Sequence, residues 1–162
     1  DVSLVHDWST IPLDIGPGLT RHHLLTDEAD VILPETHPLA DAVTISPPQL
    51  ASETWVSTHA GSICHEWLVQ MFALHGFRPD IRYFDATYAS HLALVREGVA
   101  LALVPRLGRE RLPDGVRAVP VINPTPRRHV SAVWRAAGDQ NPAIAHLHAE
   151  LVTTINARFP LP

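Results

Sequence analysis

The chain contains no lysine, a single cysteine and a single methionine among its 162 residues, and all 12 of its basic side chains are arginines, set against 17 acidic ones. The net charge of −5 argues against contact with a phosphate backbone by this chain, because counterion release requires cations clustered on one face. A lone Cys64 excludes an internal disulfide, and no CxxC or Cys/His quartet suggests structural zinc, so a reducing, cytoplasmic setting is expected. No apolar run approaches the ~20 residues that cross a bilayer. The opening DVSLVHDWST lacks the basic and apolar blocks of an export signal. Neither GxxxxGK[ST] nor GxGxxG occurs, leaving nucleotide binding without a motif, and neither a metal nor a cofactor is expected.

What is present is a chain 46% hydrophobic and 18% charged, enough to bury one core or two small lobes. Short apolar runs alternate with amphipathic stretches. Val2–His6 reads as a strand, and the segment from Ile11 to Gly18 as a loop. Leu19–Leu25 and Ala29–Leu33 read as two separate extended runs, stopped by Pro34 and the His37-Pro38 pair. The acidic residues Asp27, Glu28 and Asp30 read as a solvated charge run. Thr54–Ser57 is a short strand. From Gly61 to His75 the residues Ile63, Trp67, Leu68, Met71, Phe72 and Leu74 recur at helical spacing, with Gly76 in the place of a terminating glycine. Pro79–Phe84 returns to strand, Tyr88–Glu97 is helical, and Val99–Val104 is a continuous apolar strand ended by Pro105. Val116–Val121 and His129–Trp134 are further strands, and Asn141-Pro142 opens a last helix to about Ala157. The order is α/β throughout.

Catalytic readings are outweighed by plainer ones. Cys64 beside His59 and His65 has the elements of an activated thiolate, yet a cysteine in the first turn of an amphipathic helix serves as a small buried side chain. His65-Glu66 does not extend to HExxH, since Val69 occupies the second histidine position. His22 and His23 point to opposite faces of a strand, and His146 and His148 diverge on a helix. His6, at a strand end beside Asp7, reads as a structural histidine. Ser57, Thr58 and Ser62 lack a GxSxG elbow, which favours capping or ligand hydrogen bonding. The chain is not expected to be an enzyme. A Cys64-dependent α/β enzyme and an exported solute-binding protein are the alternatives, the first requiring an exposed thiol of depressed pKa.

The succession DVSLV, LLTDEADVILPETHPLA, LASETWVS, FALHGFRPDIRYF, ATYASHLALVREGVALALVP and VRAVPVINPTPRRHVSAVWR resembles, in order and spacing, the effector-binding (substrate-binding) domain of LysR-type bacterial transcription regulators. The resemblance covers nearly the whole chain. It implies a type II periplasmic-binding-protein-like α/β fold of two lobes joined by two crossing strands. On that template residues 1–30 and 119–162 form the first lobe and 31–118 the second, with crossings near Val31–Leu33 and Val119–Ile122. Family members carry a strand-helix-strand-helix unit ahead of the segment matching DVSLV, so the first lobe is expected to be incomplete. The DNA-binding head is expected outside this chain. The implied partners are a small organic-acid effector and further copies of the protein, as homodimer or homotetramer.

The implied ligand-binding residues are the loop Ser57, Thr58, His59, Ala60 and Gly61, then Thr87 and Tyr88 opening the next helix. Val104 and Pro105 closing a strand, and His6 and Trp8 ending the first-lobe strand, complete the set. The 57–61 loop offers hydroxyls and backbone N–H groups suited to a carboxylate.

Overall fold

The computed structural model describes residues 1–109 and 111–159. Seven strands and three α-helices follow in the order β1 (Val2–Trp8), β2 (Leu19–Pro34), β3 (Thr54–Ser57), α1 (Ile63–Ala73), β4 (Asp80–Phe84), α2 (Tyr88–Arg96), β5 (Leu101–Pro105), β6 (Val116–Pro120), β7 (Arg127–Arg135) and α3 (Pro142–Arg158). No helix among the described residues is long and apolar enough to cross a membrane.

The chain divides into two compact units, Asp1–Asp27 with Arg128–Pro162, and Glu28–Arg127. These bounds differ from the 1–30, 31–118 and 119–162 division expected from the resemblance, for a hydrogen-bonding reason. β6 pairs antiparallel with β2 from Asp30↔Pro120 to Pro34↔Val116, and Ala29 N–H still donates to Pro126 O at 3.0 Å. Those bonds keep residues 119–127 with the second unit.

In the first unit β1 pairs antiparallel with β7, in register from Val2↔Trp134 to Trp8↔Arg128, and β7 neighbours β2. The aromatic end of β7 anchors α3: the His22 ring stacks on Trp134 at 4.8 Å, and His148 meets His22 edge-on at 4.7 Å.

In the second unit the strand order is β6-β2-β5-β3-β4, with β5 antiparallel to β2 and β3 parallel to both β4 and β5. α1 forms where the sequence predicts it. Ser62 is its N-cap, its side chain accepting from His65 N. The helix buries Trp67, Leu68, Met71 and Phe72, a stripe of adjacent pairs one turn apart. Phe72 meets Trp55 of β3 edge-on at 5.4 Å. A second cluster joins Ile32, Val56, Val95, Ala102, Val104 and Val116, with Tyr88 and Leu92 packed against it.

Two sequence expectations change here. β2 is one strand of 16 residues and not two runs, and Asp27 and Asp30 are 6% and 3% exposed rather than solvated. Each buried carboxylate is paired, as burial of charge demands. Arg128 holds Asp27 at 2.8 Å, while Arg106 and Arg109 each reach Asp30 at 2.7 Å. The acidic run therefore does not break the strand, because cations on neighbouring segments neutralise it.

Candidate functional site

β3, β4 and β5 run parallel, so their carboxyl ends, Ser57, Phe84 and Pro105, lie at one edge of the second unit's sheet. Loops from two of these ends lead directly into helix N-termini, the place where open α/β sheets hold ligands. Ser57, itself buried, accepts through its carbonyl from Asp85 N–H at 3.0 Å, which ties the loop after β3 to the loop after β4.

The first loop is open to solvent beyond Thr58. Thr58 is half-buried, while His59, Ala60 and Gly61 are exposed. Thr58 Oγ1 and Ser62 Oγ share a hydrogen bond of 2.6 Å. Gly61 adopts φ +81°, a left-handed conformation open to glycine at little cost. It turns the chain into α1, where the N-cap Ser62 side chain accepts from His65 N–H at 3.3 Å.

The second loop is different, because its helix end is already served by a carboxylate. Thr87 N–H and Thr87 Oγ1 donate to Asp85 Oδ1 at 2.8 and 2.9 Å, and Thr87 Oγ1 accepts from Ser90 N–H at 3.4 Å. The Thr87 backbone N–H first, then the Thr87 and Ser90 hydroxyls, hold Asp85 below the usual carboxylate range. An anion approaching α2 would meet a fixed negative charge. At the N-terminus of α1 the capping groups are neutral hydroxyls, although Glu66 stands in its first turn.

Beneath both loops lies His91, which is buried. Its Nε2 bonds the Asp85 carbonyl oxygen at 2.9 Å, and Tyr88 meets its ring edge-on at 5.6 Å. Burial lowers its pKa, opposed by hydrogen bonding to the Asp85 and Ser57 backbones and by the Asp85 charge. A neutral imidazole there fixes the second loop without adding positive charge to the site.

The structure thus joins Ser57 and Thr58 to Thr87 and Tyr88 through Asp85 and His91. The sequence reading missed both linking residues. The triplet Asp85-Ala86-Thr87 just ahead of a helix is the signal that could have found the first, whereas nothing in an amphipathic helix distinguishes His91 before its depth is known. Val104 is fully buried within the core cluster and Pro105 is buried at the strand end. His6 and Trp8 belong to the first unit. Trp8 is buried. The His6 imidazole is held below its usual range by burial and then by Arg128, with Asp7 opposing. Cys64 is half-buried in the first turn of α1. Among the described residues no three His, Cys, Asp or Glu side chains gather into a metal-holding group.

The family model described as LysR substrate binding domain matches residues 1–155. The chain is 24% identical over 106 residues to an uncharacterized HTH-type transcriptional regulator, YwbI, of Bacillus subtilis (strain 168), covering 65% of this chain and 35% of that protein. It therefore spans about a third of the length of that curated relative. The C-terminal domain of a probable LysR family transcriptional regulator from Rhodococcus sp. RHA1 is similar in structure, with a TM-score of 0.75, 26% identity, and coverage of 94% of this chain and 74% of that one. The reduced form of OxyR gives a TM-score of 0.77 at 19% identity, covering 98% and 73% of the two chains. The Synechocystis PCC6803 CcmR regulatory domain in complex with 2-PG gives 0.79 at 16% identity, covering 95% and 73%.

Proposed function

This chain belongs to the LysR substrate binding domain family, and from that premise we propose that it senses a small carboxylate or phosphorylated acid held by the loop 57–61 at the N-terminus of α1. Its fold is the type II periplasmic-binding-protein-like α/β fold of that family, a family of transcription regulators and not of enzymes.

The observation that carries the reading is the difference between the two helix ends. Asp85 already serves the N-terminus of α2, while the loop entering α1 is exposed at His59, Ala60 and Gly61 and caps its helix with the neutral hydroxyls of Thr58 and Ser62, Glu66 being the one acidic residue of that first turn. An anion gains most where oriented N–H dipoles are not yet compensated. Thr58 supplies a rotatable hydroxyl, and Thr87 and Tyr88 form the neighbouring wall. The CcmR regulatory domain is described as a complex with 2-PG, which lends support to a ligand-holding role for this fold.

In the whole regulator, ligand binding reweights conformations of this domain, and a DNA-binding head elsewhere in the protein, in a homodimer or homotetramer, reads the change. The effect on that equilibrium is limited to the ligand's difference in affinity between the states.

The test is a thermal-shift panel of small organic acids and phosphorylated acids against this chain and its Thr58→Ala variant. A ligand that binds only the folded state raises the melting temperature. Loss of one neutral hydrogen bond should cost about 1 kcal/mol of affinity. An acid that stabilises both proteins equally would remove the 57–61 loop from the site.

A further inference from the structure

His23 on β2 and His129 on β7 come from distant parts of the sequence, and their rings stand 5.5 Å apart at 70°. Both aim a nitrogen at one atom: His23 Nε2 lies 3.4 Å and His129 Nδ1 3.1 Å from Thr26 Oγ1. Neither His23 nor Thr26 is covered, and His129 is half-buried, so the point on which they converge is open to solvent. The neighbouring histidine His22 is turned away, stacked on Trp134.

From this convergence we propose that His23 and His129 form a surface chelate for a divalent transition-metal ion of the Cu²⁺, Ni²⁺ and Zn²⁺ group, with the Thr26 hydroxyl or water completing the shell. Neutral imidazole is the protein ligand these ions favour, and Cu²⁺ binds it most tightly. Coordination at ~2.0–2.1 Å requires the two nitrogens, now 3.4 and 3.1 Å from Thr26 Oγ1, to close on an ion seated beside that oxygen. Rotation about the side-chain bonds of two accessible histidines supplies that movement without disturbing the strands.

The surrounding charges permit it. Asp7 of β1 is the register partner of His129. It pairs with Arg21 of β2 at 3.0 Å, and Arg21 Nε also donates to Ser131 Oγ at 3.0 Å. The carboxylate and guanidinium nearly cancel beside the two rings. Burial, then His129 and Arg21, with Asp7 opposing, lower the pKa of His23, which leaves its nitrogen lone pair available at neutral pH. This site does not depend on the effector reading, since every residue in it lies in the first unit.

The experiment adds Cu²⁺ to the 162-residue chain at neutral pH, with electron paramagnetic resonance reporting the ligands and Zn²⁺ calorimetry reporting affinity. Nitrogen splittings from two imidazoles are expected in the native chain and from one in His23→Gln or His129→Gln. Zn²⁺ affinity should fall by roughly tenfold or more in each variant, since loss of even an outer partner of a metal ligand has such effects. Binding should also weaken as pH falls through the imidazole range, because protons compete for the same nitrogens. An unchanged spectrum in a chain carrying both His23→Gln and His129→Gln would assign the metal to other histidines and overturn the proposal. So would a native chain that binds no Cu²⁺, a result that needs no variant to fold.

Discussion

Replacing Asp27 by Ala separates the structure from the plain sequence reading of the same residue by a measurable energy. Both side chains of the Asp27–Arg128 pair are buried, with Nε and Nη2 of Arg128 at 2.9 and 2.8 Å from Asp27 Oδ2. Removing the carboxylate leaves a guanidinium in a site that excludes water, and breaking such a pair costs about 3–5 kcal/mol. At ~2–4 °C per kcal/mol for a chain of this size, the melting temperature should drop by roughly 6–20 °C. Had Asp27 belonged to a solvated charge run, the cost would be ~0–1 kcal/mol. Glu28 next to it supplies the control: its carboxylate is 30% exposed and bonds Arg106 and Arg127 at 2.9 and 3.1 Å, so Glu28→Ala should stay within about 1 kcal/mol. The double replacement Asp27→Ala with Arg128→Met removes the stranded charge and should recover most of the loss. Urea denaturation with unchanged m-values measures all four proteins. A cost for Asp27→Ala no larger than that for Glu28→Ala would refute the reasoning.

Phe72→Ala should destabilise by about 3–5 kcal/mol, since it opens a cavity against Trp55 in the α1 core; denaturant midpoints check this. Gly61→Ala meets no neighbour within 4 Å, so its cost should be that of the left-handed backbone alone, ~1–2 kcal/mol, with Gly61→Asn milder and both read by thermal melting. His91, His23 and His6 all have lowered pKa values, burial being the first cause in each. The unfolded chain therefore takes up protons that the native chain refuses, and stability should fall as pH drops below the ordinary imidazole value of about 6.5. Melting curves between pH 5 and 7.5 should show this slope, and His91→Asn should flatten it; a slope unaltered by that change would remove His91 as a contributor.

Elements whose signals are local were legible in the sequence. α1 follows from its apolar stripe, its Ser62 cap and Gly76, and β5 from a continuous apolar run closed by Pro105. The resemblance gave the fold class, and the 57–61 loop could be placed as the link from β3 into α1. What the sequence hid depends on pairing between distant segments. β2 seemed to break between Leu25 and Ala29 because Arg128, which neutralises Asp27, lies on β7, and Asp30 read as solvated because Arg106 and Arg109 follow β5. The division near residue 119 moved to 127 because the bonds of β6 to β2 decide it. His23 and His129 could be matched only once the register of β7 was known. Asp85 and His91 were overlooked for opposite reasons, the one resembling a loop residue and the other a surface position on a helix.

The most direct test of the effector reading is amide chemical-shift mapping of this chain with whichever acid of the panel raises its melting temperature most. Saturable shifts are expected on the amides of residues 58–65, with smaller ones at Thr87 and Tyr88, and in Thr58→Ala the same titration should need roughly fivefold more ligand to reach its midpoint, about 1 kcal/mol. Saturable shifts confined to other parts of the chain, with the amides of 58–65 unmoved, would contradict the effector reading.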